Sequence, residues 1–346
     1  MARALARQAA SRRTGPTPLL VSGLALVVVV GAAVSVGSVR VAPGALLGAL
    51  LDGLRGHPVG TVDTIVWQLR LPRVALAALV GASLSLAGAT FQGVFRNPLA
   101  DPYLLGAASG AGFGASVVLV FAGVVPWLTH LGVGWAAFVC ALATVGAVTL
   151  LARQERGLPP VSLILAGVVL GSSLSAATSF LMLAARDRAA GILSWLLGSF
   201  AFASWDQVLT MLPLLVPAVL VLLLAGRALD VLQLGEESAA QLGVPVEIVK
   251  LVLLATATLA TAAAVSVAGV IGFVGLVVPH AVRLAFGPRH VRLIPLSAVW
   301  GAVFLVLADL CARTVLAPAE IPVGIVTALV GGPFFLLLLR RQRSGS

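Results

Sequence analysis

The sequence predicts an all-α protein that crosses a membrane about ten times. Hydrophobic residues make up 60% of its 346 residues and charged residues only 10%, whereas a soluble domain carries about 25% charged residues. Apolar runs recur along the chain, and the arginines lie mostly at the ends of these runs. These observations indicate a polytopic membrane protein rather than a large soluble core.

The chain divides into two short tails and one transmembrane domain. A basic tail covers residues 1–18, the domain covers 19–340, and a second tail covers 341–346. The run at 272–286 is short enough to be tilted or to cross only part of the bilayer. The predicted runs are 19–38, 74–95, 102–123, 134–152, 161–184, 207–226, 248–268, 272–286, 293–316 and 322–339.

The basic residues predict the orientation of the chain. With the N-terminus inside and every run crossing, about two thirds of the 22 Lys and Arg residues fall on the inner side, as the positive-inside rule requires. Both tails are then cytoplasmic. An inner stretch at about 228–245 is expected to form short helices along the membrane surface. Because the arginines serve as topology signals, we expect no nucleic-acid partner.

Arg70 and Arg73 flank Pro72 where the second run leaves the outer surface. A rigid, outward-facing pair of guanidinium groups suits bidentate binding of carboxylates on a partner protein. The alternative is an ordinary anchor at the membrane interface. The residues themselves leave both interpretations open.

A turn and a set of glycines follow this arginine pair. Asp101 precedes Pro102, which predicts an N-cap with proline at the first position of the third helix. Gly106, Gly110 and Gly114 recur every four residues, so one face of that helix carries only small residues. Another helix can approach such a face closely, and helix packing is therefore the expected role of these glycines.

The sequence contains no pattern typical of an enzyme or a metal site. A phosphate-binding P-loop needs a Gly-Lys pair, but the only lysine, Lys250, follows Val249. ATP hydrolysis would therefore have to come from a partner chain. Cys140 and Cys311 are too far apart for zinc or redox spacing. The histidines lack a carboxylate or cysteine at ligand spacing; they are His57, His130, His280 and His290.

One carboxylate lies deep in an apolar run. Asp309 is the best candidate for a membrane-buried charge, which is typical of proton- or ion-coupled carriers. Arg313 lies four residues further along the same helical face, so a local ion pair near the outer end also explains Asp309. An ion-coupled secondary carrier is thus an alternative function, and a structural or sensory membrane protein is a third.

Five motifs occur in order along the chain. They are RLPR at 70–73, GATFQGVFRNPLADPYLLGAASGAG at 88–112, LGEESAAQLG at 234–243, GFVGLVVPHAVRL at 272–284 and LADLCARTVLAPAEIPVGIVTALVGGPFFLLLL at 307–339. Together they resemble the FecCD family, which comprises permease subunits of ABC importers for ferric siderophores, haem and cobalamin. The resemblance covers residues 18–340, nearly the whole chain.

The resemblance implies an ABC type II importer permease fold with about ten helices per subunit. Two permease subunits, identical or different, would surround a central pathway among the lipids of the bacterial cytoplasmic membrane. Two cytoplasmic ATPase subunits would hold ATP and Mg, with no cofactor on this chain. A periplasmic or lipid-anchored binding protein would deliver the substrate. The expected substrate is a ferric siderophore, with haem or cobalamin as the alternatives.

The resemblance also implies roles for particular residues at the two surfaces. Arg70, Arg73 and Arg313 match arginines that meet acidic residues on the binding protein. Segment 234–243 matches coupling helices that sit in a cleft of the ATPase. Its matching residues are Gly235, Glu236, Ser238, Ala239, Leu242 and Gly243.

The fifth and tenth helices would line the pathway at the subunit interface. The loop before the fifth helix would be the cytoplasmic gate, here Pro160–Val161. Hydroxyl residues on the fifth helix either face the pathway or pack between helices, and both interpretations stay open. These residues are Ser172, Ser173, Ser175 and Thr178.

Overall fold

The computed structural model describes residues 17–37, 41–55, 60–154 and 158–343. Residues 1–16 of the predicted N-terminal tail and 344–346 of the predicted C-terminal tail lie outside the described residues. We number the helices in chain order: α1 is Thr17–Ser35, α2 Pro43–Leu54, α3 Thr61–Val94, α4 Ala107–Phe121, α5 Pro126–Ala152, α6 Pro160–Ala184, α7 Ala189–Leu196, α8 Trp205–Leu224, α9 Gly226–Leu232, α10 Glu236–Gln241, α11 Val246–Ala268, α12 Val274–Phe286, α13 His290–Thr314 and α14 Val323–Arg343.

In the described part of the chain, ten helices coincide with the ten predicted apolar runs, which confirms the predicted fold class. Seven of them are long and apolar enough to cross a bilayer: α1, α3, α5, α6, α8, α11 and α13. The apolar parts of α4, α12 and α14 are shorter. The helices α2, α7, α9 and α10 are short connecting elements between these runs.

Helix α3 forms the centre of the bundle. Along its apolar stretch 78% of the residues are buried, against 22% for α6 and 17% for α1. Gly81 lies against the backbone of Gly301 in α13, and Gly88 lies against the backbone of Gly275 in α12. A Cβ at Gly81 or Gly88 would clash with a carbonyl oxygen there. Small residues therefore set how closely α12 and α13 approach α3.

The glycine face of α4 packs against α5. An added Cβ on Gly110 would lie 2.7 Å from the carbonyl oxygen of Cys140, and one on Gly114 would lie 2.5 Å from that of Ala136. Gly106 faces the same helix, with Thr144 as its nearest neighbour. Residues with larger side chains at Gly110 and Gly114 would push the two helices apart.

The turn before α4 differs from the prediction. Asp101 accepts a hydrogen bond from the Tyr103 N–H at 2.8 Å, but it caps only a short 3-10 turn, Pro102–Leu105. Gly106 then adopts a left-handed conformation, φ 80° and ψ 10°, through which an α-helix cannot continue. Helix α4, which corresponds to the third predicted run, therefore begins at Ala107, and the prediction that it begins at Pro102 is wrong.

Helix α12 is too short to cross the bilayer by itself. Its 13 residues rise about 20 Å, whereas the hydrocarbon core is about 30 Å thick. The hydroxyl group of Tyr103 donates to the Ile271 carbonyl oxygen at 3.1 Å. The Gln92 amide donates to the carbonyl oxygens of Gly275 and Leu276 at 3.2 and 3.3 Å. Side chains thus satisfy backbone carbonyls around the start of α12, where lipid could not.

Candidate functional site

A cluster of charged side chains joins α3 and α13 at their predicted outer ends. Arg73 donates from Nε and Nη2 to Asp309 Oδ1 at 3.0 and 2.9 Å, and from Nη1 to Glu320 Oε1 at 2.9 Å. Arg313 Nε lies 3.6 Å from Asp309 Oδ2, so Arg73 is the closer partner of this carboxylate. We call Arg70, Arg73, Asp309, Arg313 and Glu320 the outer charge cluster.

Two arginines tie the outer charge cluster to the end of α1. Arg70 Nη1 donates to the carbonyl oxygens of Val34 and Ser35 at 2.7 and 3.0 Å. Arg313 Nη2 donates to the carbonyl oxygen of Ala33. The last carbonyls of a helix have no partner within it and carry partial negative charge. The two guanidinium groups therefore cap α1 from neighbouring helices.

The expectation that Arg70 and Arg73 face outward is wrong. Arg70 is 6% exposed, and the side chains of Arg73 and Arg313 are 12% and 7% exposed. These cations turn inward because helix carbonyls and two carboxylates supply the partners that make their burial tolerable. Sequence spacing indicated only the Asp309–Arg313 pair; the partners supplied by α1 and Glu320 come from distant segments.

Pro72 shapes the backbone beside this cluster. Proline has no N–H to donate, and the preceding residues Ile65–Arg70 form a π-helical turn in which the Leu71 N–H reaches the Val66 carbonyl oxygen. A π-helical turn within a longer α-helix is often found at a functional site. On either side of Pro72, Arg70 contacts α1 and Arg73 contacts α13.

On the predicted inner side, α9, α10 and the residues that join them form what we call the cytoplasmic segment, residues 226–243. Gly235 and Gly243 have φ of 110° and 81°, a region that favours glycine. Ala239 is completely buried and anchors α10, whereas Glu236 is half-buried. Leu242, the C-cap of α10, is exposed, and so are the remaining residues of this helix; these are Glu237, Ser238, Ala240 and Gln241.

Hydrogen bonds attach the cytoplasmic segment to the central helices. Asp230 Oδ1 accepts from the His290 N–H at 2.6 Å and lies 3.0 Å from His290 Nδ1, so Asp230 caps the start of α13. Gln233 Nε2 donates to the Gly93 carbonyl oxygen, near the end of α3, at 2.8 Å. Helices α3 and α13 carry the outer charge cluster at their other ends. Specific polar contacts therefore hold both ends of these two helices.

Helix α6 exposes a broad face that carries hydroxyl groups. Ser172, Ser173 and Ser175 are exposed, and the Ser175 hydroxyl donates to Ser109 Oγ in α4 at 3.1 Å. Thr178 is buried and donates to the Leu174 carbonyl oxygen within α6. The structure thus separates Thr178, which faces neighbouring helices, from the three serines.

The start of α6 is the predicted gate. Pro159 is its N-cap and Pro160 its first helical residue. Leu158 is buried, whereas Val161 is 77% exposed. Gln154 Nε2 donates to Ser162 Oγ at 3.1 Å across the turn. Two consecutive prolines fix φ at this joint and limit its flexibility.

A cavity of about 730 Å³ opens between the predicted outer ends of α5, α8 and α11. Hydroxyl and amide groups and two carboxylates line it, from Ser194, Ser199, Gln207, Thr210, Ser266, Asp206 and Glu320. Glu320 also pairs with Arg73, so the cavity adjoins the outer charge cluster. Within the described residues, no group of three or more His, Cys, Asp or Glu side chains is placed to hold a metal ion.

Comparison with known proteins decides the family. A model of the FecCD transport family matches residues 24–341, which is nearly the whole chain. The chain belongs to the FecCD transport family. The match confirms the resemblance found in the motifs and identifies this FecCD protein as a membrane permease, a transport component of an ABC transporter.

Three relatives of this FecCD protein cover most of its length. An ABC transporter permease protein of Bacillus subtilis is 43% identical over 329 residues, 94% of this chain and 93% of the relative. The cobalamin import system permease of Halobacterium salinarum is 42% identical over 343 residues, 95% and 91% of the two chains. The hemin transport system permease of Yersinia pestis is 40% identical over 284 residues, 80% and 84%.

A solved structure shares the fold of this FecCD protein. It is described as an inward-facing conformation of a metal-chelate type ABC transporter, with a TM-score of 0.82 and 30% sequence identity. The match covers 94% of this chain and all of the other chain. The permease fold predicted from the motifs is thereby confirmed.

Proposed function

We propose that this FecCD protein is the permease subunit of an ATP-driven importer that carries a metal chelate across the bacterial cytoplasmic membrane, with both of its termini in the cytoplasm. The observation that carries the proposal is the cytoplasmic segment. It exposes α10 to solvent, while Asp230 and Gln233 fasten it to α13 and α3. Such an arrangement suits a surface that receives movement from a partner and passes it to spanning helices.

Two ATPase subunits would supply the energy and would hold ATP and Mg, because this chain lacks a P-loop. Ser238 and Leu242 are exposed and would contact the ATPase, while Gly235 and Gly243 shape the turns on either side of α10. Closure of the ATPase pair would push on α10. The spanning helices would follow as rigid bodies.

A second permease subunit, identical or different, would cover α6 and α14. Hydroxyl groups on a surface that faces lipid lose their hydration, whereas the wall of a water-filled pathway keeps them hydrated. Ser172, Ser173 and Ser175 fit such a wall, and α14 exposes Leu329 and Val330. We place the pathway between the two subunits, with Pro160–Val161 as its cytoplasmic gate.

A periplasmic or lipid-anchored binding protein would dock above the outer charge cluster. Three arginines against Asp309 and Glu320 leave an excess of positive charge, which attracts carboxylates on a partner. Arg70 and Arg313 are buried, and the Arg73 side chain is only 12% exposed, so all three would act from beneath the surface. Glu320, whose side chain is 40% exposed, is the member of the pair with Arg73 that an incoming carboxylate could displace.

The substrate proposed from the motifs is a ferric siderophore, and cobalamin or haem are supported by the names of two relatives. All three are large chelates with polar groups. A pathway with small, uncharged hydroxyl side chains suits such a molecule because it offers no strong binding site. An ion-coupled carrier is disfavoured, since Asp309 is held by two arginines instead of facing a pathway.

The experiment uses vesicles that contain the permease with its ATPase, together with the substrate-binding protein that associates with the permease. Radiolabelled cyanocobalamin, haemin and a ferric hydroxamate are compared for binding and for ATP-dependent uptake. We expect the vesicles to accumulate whichever chelate the binding protein binds. If the assembled complex hydrolyses ATP but accumulates no metal chelate, the proposed substrate class is wrong.

A further inference from the structure

The only lysine in the chain links two segments on the predicted cytoplasmic side. Lys250 lies near the start of α11 and is 3% exposed. Its Nζ donates to Glu236 Oε1 at 3.0 Å and to the Leu158 carbonyl oxygen at 3.3 Å. Glu236 is the first residue of α10, and Leu158 precedes the two prolines that start α6.

The direction of this side chain is unusual for its position. A lysine near the end of a span can extend its long side chain to water, and a buried ammonium group is costly unless charged or polar partners compensate. Lys250 instead points into the protein, where its ammonium group donates to one carboxylate and one backbone carbonyl. Filling the space alone would not require a charged residue.

The other anchors of the cytoplasmic segment lead to different helices. Asp230 reaches the start of α13, and Gln233 reaches the end of α3. In their apolar stretches 61% and 78% of the residues are buried, against 22% in α6. The contact through Lys250 therefore connects α10 to a helix that is less buried within this chain than α3 or α13.

We propose that Lys250 is a positioning residue that transmits displacement of α10 to the start of α6. The inference rests on the proposed function, in which α10 meets the ATPase and α6 lines the pathway. When α10 moves, the ammonium group follows the Glu236 carboxylate, and the Leu158 carbonyl follows the ammonium group. Pro159 and Pro160 stiffen the joint, so the movement continues into α6 instead of being absorbed by the loop.

The test follows the exposure of position 161 in the complete transporter, reconstituted in nanodiscs with its ATPase subunits. Val161→Cys is introduced after Cys140 and Cys311 have been replaced by alanine. The rate of its reaction with a maleimide is measured with and without ATP. The unsubstituted Lys250 is compared with Lys250→Met and Lys250→Arg.

A matched control comes from the same helix. Thr258 in α11 is 4% exposed and polar, but it belongs to neither the Glu236 nor the Leu158 contact. The control variant is Thr258→Val. Glu236→Ala removes the acceptor and provides a second way to break the link at a partly exposed position, whose side chain is 43% exposed, in case Lys250→Met does not fold.

With Lys250 present, we expect ATP to change the reaction rate about tenfold, within the range of ordinary coupling between sites. Lys250→Met and Glu236→Ala should lose this change while the ATPase stays bound and hydrolyses ATP, whereas Lys250→Arg and Thr258→Val should keep it. An ATP response that survives in both Lys250→Met and Glu236→Ala overturns this inference and leaves the proposed function standing. Failure of the unsubstituted permease to bind an ATPase overturns the proposed function, and the inference with it.

Discussion

Arg73 in α3 and Asp309 in α13 are joined by three hydrogen bonds: Nε donates to Oδ1 and Oδ2 at 3.0 and 3.1 Å, and Nη2 donates to Oδ1 at 2.9 Å. The Asp309 side chain is 2% exposed, and Arg313 shares it as a partner. The pair fastens together two helices that are distant in sequence and central in the bundle. Asp309 is thereby explained as a structural charge rather than as a proton carrier.

Removal of the Asp309 charge should therefore destabilise the protein. In Asp309→Asn, Arg73 and Arg313 lose a buried counter-charge, and we expect a loss of about 3–5 kcal/mol in the free energy of unfolding. The measurement is thermal unfolding of the purified chain in detergent. Glu320→Gln, at a partly exposed position, should cost no more than about 1 kcal/mol. Equal losses in the two variants would show that burial does not set the strength of these pairs.

The Asp230 cap should be measurable in the same way. Asp230→Ala removes the acceptor for the His290 N–H at the start of α13, and we expect a loss of about 1–2 kcal/mol in stability. Asp230→Asn keeps a side-chain oxygen in place and is the matched control. If alanine and asparagine variants unfold at the same temperature, Asp230 does not act as a cap.

The contact between α4 and α5 depends on the absence of a side chain at Gly110. Gly110→Ala places a methyl group against Thr144 and the Cys140 carbonyl oxygen, and overpacking of this kind costs about 1–3 kcal/mol. Gly146 lies in α5 with no atom near its added Cβ, so Gly146→Ala should be neutral or slightly stabilising. Thermal unfolding of both variants checks the prediction, and a stable Gly110→Ala protein would contradict it.

Water in the proposed pathway should be detectable at the exposed face of α6. A cysteine at Ser172 should react in the assembled transporter with a membrane-impermeant thiol reagent. A cysteine at Val28 should not react, because Val28 is 62% exposed on α1 and would face lipid. Both variants carry alanine at Cys140 and Cys311. Equal reactivity at the two positions would mean that the α6 face does not line a water-filled pathway.

The spans were predictable because each depends on a continuous apolar run. The structure departs from the prediction where one residue or one distant partner determines the conformation. Gly106 adopts a left-handed conformation, so the predicted third run becomes helical only after it, as α4. Spacing of four residues cannot distinguish such a glycine from one that serves helix packing. The arginine side chains turn inward because of Glu320 and the carbonyls at the end of α1, contacts that no local pattern records.

The proposed functional residues show the same pattern. The motifs predicted a role for segment 234–243, and the structure places Ser238 and Leu242 on an exposed face and Ala239 in the core. The serines of α6 were predicted either to face the pathway or to pack between helices. The sequence did not predict the role proposed for Lys250. Its position near the end of a run predicts a side chain that reaches water, whereas a carboxylate and a carbonyl from two other segments hold it inside the protein.

We propose that ATP drives transport by this FecCD protein through the cytoplasmic segment. The most direct measurement is substrate uptake by vesicles that contain the permease with or without its ATPase, with the binding protein outside. We predict uptake only with the ATPase and ATP, and none from a proton gradient alone. Uptake by the permease alone, driven by a proton gradient and abolished in Asp309→Asn, would contradict this account.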